Sequence, residues 1–242
     1  MISNNFWNNL PKPIFALAPM AGINDPAFRI LCKEFGADVI YSEMASATAL
    51  NYNPKATLEM LEFEEIERPY VVQLFGGEPA HFAKAARIIE SEIRPDGIDI
   101  NFGCPVKKVL KQGAGAALMA DLRKSRMVVE TVLDSTDLPV SVKIRAASGK
   151  VPAADFLKTM TGFGIKAVMI HGRTLAGGFS GPVDAEIIKR TRDHFGGIIL
   201  ANGGVFDAGS GAELLESSGA DGLGIARGAM GQHWLFSALK GR

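Results

Sequence analysis

The chain has 242 residues, which is long for one ordinary domain and short for two. Its hydrophobic fraction of 47% and its charged fraction of 21% are those of a folded globular protein and argue against global disorder. The 26 basic and 26 acidic side chains leave no net charge. This balance excludes a broadly basic surface, so any binding to RNA or DNA would need a local basic patch.

The cysteines and histidines form no metal or disulfide pattern. Cys32 and Cys104 stand far apart, which excludes a C-x-x-C pair, a zinc finger and a disulfide framework. The four histidines are scattered and show no H-E-x-x-H motif. We therefore expect no bound metal and a reducing compartment.

Membrane and export signals are also missing from the sequence. No uncharged apolar run approaches the roughly 18 residues that a membrane-spanning helix needs. The N-terminus carries Asn and Trp where a signal peptide would have basic residues and then an apolar core. These observations predict a soluble, cytoplasmic protein without a membrane partner.

Eight short apolar runs, separated by helix-like stretches, organise the chain. They lie at residues 14–18, 38–43, 70–75, 98–101, 140–144, 167–170, 198–201 and 222–225. Strands that are apolar throughout are typical of a parallel sheet buried on both faces, and eight strand–helix repeats predict a closed (β/α)₈ barrel of the TIM type. An open doubly wound sheet is the alternative, but its first turn should read G-x-G-x-x-G, whereas residues 18–22 read A-P-M-A-G. We expect residues 1–242 to form this single barrel domain, without a second domain.

Helix signals between the apolar runs support the predicted alternation of strands and helices. Asn24, Asp25 and Pro26 form a capping start after the first apolar run. Apolar residues at helical spacing predict a helix over about 79–92, and another is predicted near 121–134. Residues 51–68 are the least regular stretch and predict an extended excursion between two strands.

Polar residues stand where the predicted strands end. In a barrel these carboxyl ends converge on one mouth, where ligands bind. The residues are Pro19 with Met20, Glu43, Gln73, Asn101, Lys143, His171, Asn202 and Arg227. A polar residue can simply mark where a strand leaves the core. A ring that includes Lys, His and Gln instead predicts a site for a polar, planar or anionic ligand.

Two glycine-rich turns are candidates for binding an anionic group of the ligand. Residues 202–204 (Asn-Gly-Gly) follow the seventh run, and residues 226–228 (Ala-Arg-Gly) follow the eighth. Barrels commonly bind phosphate at these two loops, because glycine lets backbone N–H groups approach the oxygens. The glycines could also serve only as turn residues. Arg227 favours phosphate.

Cys104 lies in the loop N-F-G-C-P after the fourth run. A thiol with an ordinary pKa near 8.5 is protonated at neutral pH and can donate a proton. Cys32, on the first predicted helix, is interpreted as a small buried hydrophobic residue. Lys107, Lys108 and Lys111 follow Cys104 and form either a solvated loop or a binding surface for phosphates.

A series of segments along residues 14–239 resembles one enzyme family, the tRNA-dihydrouridine synthases. The N-x-G-C-P-x-K-K-V and H-G-R-T motifs are the most specific of them. The segments are A-P-M-A-G-I-N-D-P-A-F-R (18–29), V-Q-L-F-G (72–76), D-I-N-F-G-C-P-V-K-K-V (99–109), G-A-G-A-A-L (113–118), V-K-I-R (142–145), H-G-R-T (171–174), S-G (180–181), A-N-G-G (201–204) and A-R-G-A-M-G-x-x-W-L-F (226–236).

The resemblance implies an FMN-dependent TIM barrel that reduces a uridine in tRNA to 5,6-dihydrouridine, with NADPH as the reductant. By position, Cys104 corresponds to the family's catalytic cysteine, which gives a proton to C5 of the uracil. The residues that correspond to FMN contacts are Pro19, Met20, Ala21, Gln73, Lys143, His171, Asn202, Gly203, Gly204, Ala226 and Arg227. Those expected on the substrate side are Asn101, Lys107, Lys108, Arg145 and Arg173.

The sequence also departs from the family pattern. Gly204 replaces the acid of N-G-D, Ala226 replaces a common glycine, and residues 175–179 lack an arginine and a glutamine that the family often has. Family members continue into a helical tRNA-binding domain, whereas this sequence ends at Arg242. Weak tRNA binding is therefore expected. Two alternatives remain: an FMN barrel that reduces a small pyrimidine or enoate, and a flavin- or RNA-binding homologue without turnover.

Overall fold

A computed structural model of the chain describes residues 5–178 and 180–242. The first four residues of the expected domain therefore lie outside the description. So does Phe179, which belongs to the 175–179 stretch where the sequence departs from the family pattern.

Eight parallel strands within the described residues close into a barrel. Their bounds are Ile14–Leu17, Val39–Ser46, Tyr70–Phe75, Gly97–Asn101, Val140–Arg145, Ala167–His171, Ile198–Asn202 and Gly222–Ile225. The eighth strand pairs with the first, so no sheet edge is left between them. The predicted (β/α)₈ barrel is confirmed, and seven of the eight apolar runs match observed strands to within one residue at each end; the exception is the second, which extends to Ser46.

Helices follow the strands around the outside of the barrel. The α-helices are Pro26–Glu34, Ala47–Tyr52, Lys55–Leu61, Pro79–Ile88, Lys107–Leu110, Ala116–Met119, Leu122–Leu133, Ala153–Thr159, Ala185–Arg190, Ala208–Ser218 and Leu235–Leu239. Short 3₁₀ turns lie at Phe6–Asn9, Glu65–Glu67, Thr191–Asp193 and Arg227–Ala229, and a small hairpin joins Ala147–Ser148 to Val151–Pro152.

The predicted helix starts are confirmed by their caps. The Asp25 carboxylate accepts a hydrogen bond from the Phe28 N–H, and Pro26 occupies the first turn, where its missing N–H carries no cost. The helix predicted over 79–92 is α-helical to Ile88 and continues as a π-helical turn, Ile89–Ile93.

The predicted excursion over 51–68 contains the end of one short helix, all of a second and a 3₁₀ turn. It is tied to the first helix by an ion pair of 2.5 Å between Arg29 Nε and Glu67 Oε2. Both side chains are fully buried, and Arg29 also donates to the Glu62 carbonyl oxygen at 2.7 Å. A charged group buried in this way is tolerated because its partners satisfy it.

The barrel interior is apolar in its lower part and polar at the carboxyl ends of the strands. Tyr41, Met169 and Leu200 pack inside it with the buried Trp7. A larger cluster fills the space between strands and helices. Register then brings polar residues to one level, since Arg145 pairs with His171 and His171 pairs with Asn202.

Over the described residues, no helix combines the length and the apolar character needed to cross a membrane. The same part of the chain holds no cluster of three or more His, Cys, Asp or Glu side chains arranged to bind a metal ion.

Candidate active site

A cavity of about 330 Å³ opens at the carboxyl ends of the strands. Its size is in the range typical of small-molecule and cofactor sites. All eleven residues that the sequence assigned to the flavin line it: Pro19, Met20, Ala21, Gln73, Lys143, His171, Asn202, Gly203, Gly204, Ala226 and Arg227. Cys104, Asn101 and Arg145 line the same cavity.

Lys143 provides a positive charge in the cavity wall. Its Nζ lies 3.1 Å from Asn202 Oδ1, and Asn202 is held in turn because its Nδ2 donates to the Gly224 carbonyl oxygen at 2.6 Å. Burial lowers the pKa of Lys143 to about 8, and the nearby Arg145 contributes to the shift. The ammonium group is therefore charged at neutral pH, and in a site with little water it can stabilise negative charge on a ligand.

His171 is neutral in this site. Burial lowers its pKa to about 3, with further contributions from the positive charges of Lys143, Arg145 and Arg173. Its Nδ1 lies 3.3 Å from the Arg173 backbone N–H, which can only donate. The proton of the neutral ring is therefore assigned to Nε2, which makes this nitrogen a hydrogen-bond donor.

The turn at Gly203 and Gly204 forms a concave site with donors around it. Both glycines have positive φ, +107° and +76°. A Cβ on Gly203 would stand 3.2 Å from Arg173 Nη1 and 3.4 Å from His171 Nε2, so the absence of a side chain keeps this space open. Arg173 Nη1 is buried and has no hydrogen-bond partner.

A buried donor without a partner is costly unless a ligand satisfies it. Burial lowers the pKa of Arg173, and repulsion from Arg227 lowers it further. Two neighbouring arginines beside open backbone are chemically suited to bind an anion such as a phosphate. Arg173, which the sequence assigned to the substrate side, lies beside Gly203 and near Arg227, two residues that the sequence assigned to the flavin.

Cys104 is held in a tightly bonded loop above the fourth strand. The backbone N–H groups of Gly103 and Cys104 both donate to Asn101 Oδ1, at 3.1 and 2.9 Å. Arg145 Nε donates to the Gly103 carbonyl oxygen at 2.7 Å. Burial raises the pKa of the Cys104 thiol above its ordinary value, although Arg145 and Lys143 oppose this shift. The thiol is therefore protonated at neutral pH and can act as a proton donor.

Arg145 lines the cavity and also joins two loops. Besides Gly103, its guanidinium donates to the carbonyl oxygens of Thr174 and Gly178, at 3.1 and 3.0 Å. The loop that carries Cys104 is thereby fastened to the loop after the sixth strand. Arg145 is 2% exposed, so its charge is directed inward rather than to solvent.

Some residues lie away from the positions that their order in the sequence suggested. Lys107 and Lys108 are exposed on the short helix after the Cys104 loop and do not line the cavity. Glu43 is also outside the cavity, where its carboxylate accepts the Gly22 N–H at 2.5 Å. Conversely, Met44 and Phe206 line the cavity, although the sequence did not predict it. Apolar residues near strand ends are usually interpreted as part of the hydrophobic core.

Comparison with known proteins identifies the family. The dihydrouridine synthase (Dus) family model matches residues 16–241. The chain belongs to the dihydrouridine synthase family. It is 36% identical to a probable tRNA-dihydrouridine synthase of Mycobacterium tuberculosis over 95% of this chain, and it spans 62% of that protein's length. It is 34% identical to tRNA-dihydrouridine synthase B of Pseudomonas aeruginosa, over 92% of this chain and 68% of the relative.

Solved structures share the fold of this family member at low sequence identity. One is the 6-hydroxypseudooxynicotine amine oxidase HisD of Pseudomonas geniculata N1, with a TM-score of 0.69 and 12% identity. The match covers 94% of this chain and 47% of that one.

Proposed function

We propose that this protein is a flavin-dependent oxidoreductase that reduces a uridine in tRNA to 5,6-dihydrouridine, with FMN as cofactor and NADPH as electron donor. Family membership and the names of the relatives support this activity. One observation of the site carries it furthest. A protonated thiol, Cys104, and an ammonium group, Lys143, line the same cavity.

The cavity fits FMN. Gly203, Gly204, Arg173 and Arg227 would hold its phosphate, and the unpartnered Arg173 Nη1 is the atom that such a group would satisfy. Gln73, Lys143 and His171 would face the isoalloxazine ring. The first turn has no G-x-G-x-x-G motif for a pyrophosphate, which favours FMN over FAD. When bound, the flavin supplies the hydride for C6 of the uracil.

The protein's own groups supply the rest of the chemistry. Cys104 would give its proton to C5 of the uracil, and Arg145 and Lys143 would then stabilise the thiolate that remains. His171 Nε2–H can donate to an oxygen or nitrogen of the bound cofactor without adding charge. Asn101, whose side chain lies between Gln73 and the Cys104 loop, would orient the base or the flavin.

The substrate side fits a nucleotide that has left its base stack. A uridine inside a helix cannot reach a barrel mouth, so the target would be a flexible loop of tRNA. Lys107 and Lys108 are exposed next to the Cys104 loop and would contact the phosphates. An enzyme acting on tRNA would work in the cytoplasm.

Mass spectrometry of tRNA nucleosides from cells that lack this protein tests the proposal. We expect dihydrouridine to fall at a defined position and to return when the parent protein is expressed, but not when Cys104→Ala is expressed. The purified protein should release FMN and no FAD. Unchanged dihydrouridine together with turnover of a free pyrimidine or an enoate would favour a small-molecule reductase. Bound flavin without any turnover would indicate a binding protein.

A further inference from the structure

Asp99 is a buried carboxylate inside the barrel for which the chemistry proposed above has no use. It lies on the fourth strand and is fully buried. One carboxylate oxygen accepts a hydrogen bond from Ser141 Oγ and the other accepts one from Gln73 Nε2, each at 2.7 Å. Burial raises the pKa of Asp99 to about 6, while these two bonds and the charge of Lys143 oppose the shift. A charged group in such a position is costly and therefore needs an explanation.

A chain of hydrogen bonds runs from this carboxylate to the backbone of the cysteine loop. Gln73 Oε1 accepts from Asn101 Nδ2 at 2.8 Å. Asn101 Oδ1 then accepts the N–H groups of Gly103 and Cys104. Gln73 and Asn101 are 1% and 7% exposed, so solvent has little access to replace a lost bond. Two side-chain amides therefore connect Asp99 to Cys104.

The direction of this chain is fixed at both ends. The ionised carboxylate of Asp99 can only accept, and the backbone N–H groups of the loop can only donate. Turning the Gln73 amide by 180° would place its oxygen against Asp99, and turning the Asn101 amide would place its NH₂ against two N–H donors. With both ends satisfied, each amide has one favourable orientation, and a buried network of this kind rigidifies what it holds.

We propose that Asp99 is a positioning residue that holds the Cys104 loop, and with it the thiol, through Gln73 and Asn101. The inference rests on the proposed function, because the position of the thiol matters for catalysis only if Cys104 is the proton donor. The hydrogen-bond chain itself can be tested without that role. Asp99 also places a negative charge near Lys143, so a test must separate position from charge.

Two substitutions make this separation. Asp99→Asn removes the charge but can keep the chain, because its carbonyl oxygen can accept from Gln73 while its NH₂ donates to the Ser141 hydroxyl. Asp99→Leu has a similar size and removes both the charge and the acceptor. An effect shared by the two variants reports the charge, and an effect found only in Asp99→Leu reports the hydrogen-bond chain.

The first readout is amide hydrogen exchange of Gly103 and Cys104, which requires no substrate. We expect exchange to speed up about tenfold in Asp99→Leu, the effect of one weakened hydrogen bond, and to stay at the parent rate in Asp99→Asn. Urea unfolding measures the accompanying loss of global stability, since Asp99→Leu leaves the buried donors of Gln73 and Ser141 without their acceptor. Should Asp99→Leu fail to fold, Asp99→Ala removes the acceptor without adding bulk. Equal exchange in the Asn variant and the variant that lacks the acceptor overturns the proposal.

The second readout is the flavin-loaded protein in rapid mixing. Reduction by NADPH is measured as the reference for each variant, because Gln73 also faces the proposed flavin site. Reoxidation by unmodified tRNA should be about 10²-fold slower in Asp99→Leu than in Asp99→Asn, the scale of a misplacement near 1 Å. Added to Cys104→Ala, Asp99→Leu should cause little further loss, since both changes act on one proton transfer. Fully additive losses overturn the proposal. If the parent protein does not reduce tRNA, the proposed function is wrong, and hydrogen exchange still decides whether Asp99 holds the loop.

Discussion

Gly115 lies directly against Cys104. A Cβ on Gly115 would stand 2.7 Å from the Cys104 carbonyl oxygen and 2.9 Å from the Cys104 Cβ. The same carbonyl oxygen accepts the Ala116 N–H at 3.1 Å. The glycine-rich segment after the loop therefore holds the cysteine by its carbonyl oxygen, whereas Asn101 holds it by its N–H, and the close approach leaves no space for a side chain at position 115.

Gly115→Ala should displace the cysteine loop. We expect flavin content to be retained while reoxidation of the reduced flavin by tRNA slows about 10²-fold, because the thiol is moved from its position. Gly113→Ala is a control for a side chain added at positive φ: Gly113 has a φ of +65° against +60° for Gly115, yet nothing lies within 4 Å of its added Cβ. Gly115→Ala should also lose more stability than Gly113→Ala, because Gly115 combines its φ with a ψ of −128°, a conformation that is accessible almost only to glycine. Equal reoxidation rates in the two variants would contradict this account of Gly115.

The barrel was predictable because its signals are local. Most strands are short apolar runs with a polar residue at or near the carboxyl end, and the carboxyl ends of parallel strands must meet. Lys143, His171 and Asn202 therefore lie in one cavity although the sequence separates them widely. The same rule was wrong for Glu43, whose carboxylate turns to the Gly22 N–H instead of the cavity.

The partners of the site residues could not be predicted from such local signals. In the sequence, Asp99 is one polar residue in an apolar strand, and its link to Cys104 depends on the register of the third and fourth strands. The contacts of Arg145 and Arg173 depend on the path of the loop after the sixth strand, which periodicity does not determine. Which residues hold one another is thus a property of the fold.

Lys143→Ala should weaken flavin binding or slow flavin reduction. Loss of one preorganised charge in such a site typically costs about 2.7–4 kcal/mol, or 10²–10³-fold. Because burial lowers the pKa of Lys143 to about 8, the parent's affinity for FMN should also fall as the pH rises through 8, where the charge is lost. Flavin fluorescence titrations from pH 6.5 to 9 measure the affinity for FMN of the variant and of the parent. Lys150→Ala, which changes an exposed lysine, should match the parent at every pH.

His171 should make the fold sensitive to acid. Its pKa of about 3 lies below the ordinary 6.5, so the unfolded chain binds the proton first and stability is lost as the pH falls below 6.5. Between pH 6.5 and 4.5 this residue should remove about 2 kcal/mol from the free energy of unfolding. His171→Gln should lack that loss. The raised pKa of Asp99 acts in the opposite direction but equally in both proteins. Urea unfolding at pH 6.5 and pH 4.5 measures this loss in both proteins. An equal loss in the parent and in His171→Gln would show that His171 has a negligible role.

Cys104→Ala separates proton donation from the other steps. The variant should still bind FMN and accept electrons from NADPH, because neither step needs a proton at C5 of the uracil. Reoxidation by tRNA should slow by about 10²–10⁴-fold, the range for loss of a positioned acid. Cys104→Ser should be similarly slow, since an alkyl hydroxyl is a much weaker acid than a thiol.

The second cysteine supplies the control for this prediction. Cys32 is fully buried on the first helix, and burial raises its pKa to about 12, so its thiol has no route to a substrate. Cys32→Ala should lower stability and leave both half-reactions at the parent rate. Rapid mixing of each half-reaction distinguishes the variants. If Cys104→Ala reoxidised with tRNA as fast as the parent and Cys32→Ala did not, the assignment of Cys104 as the proton donor would be wrong.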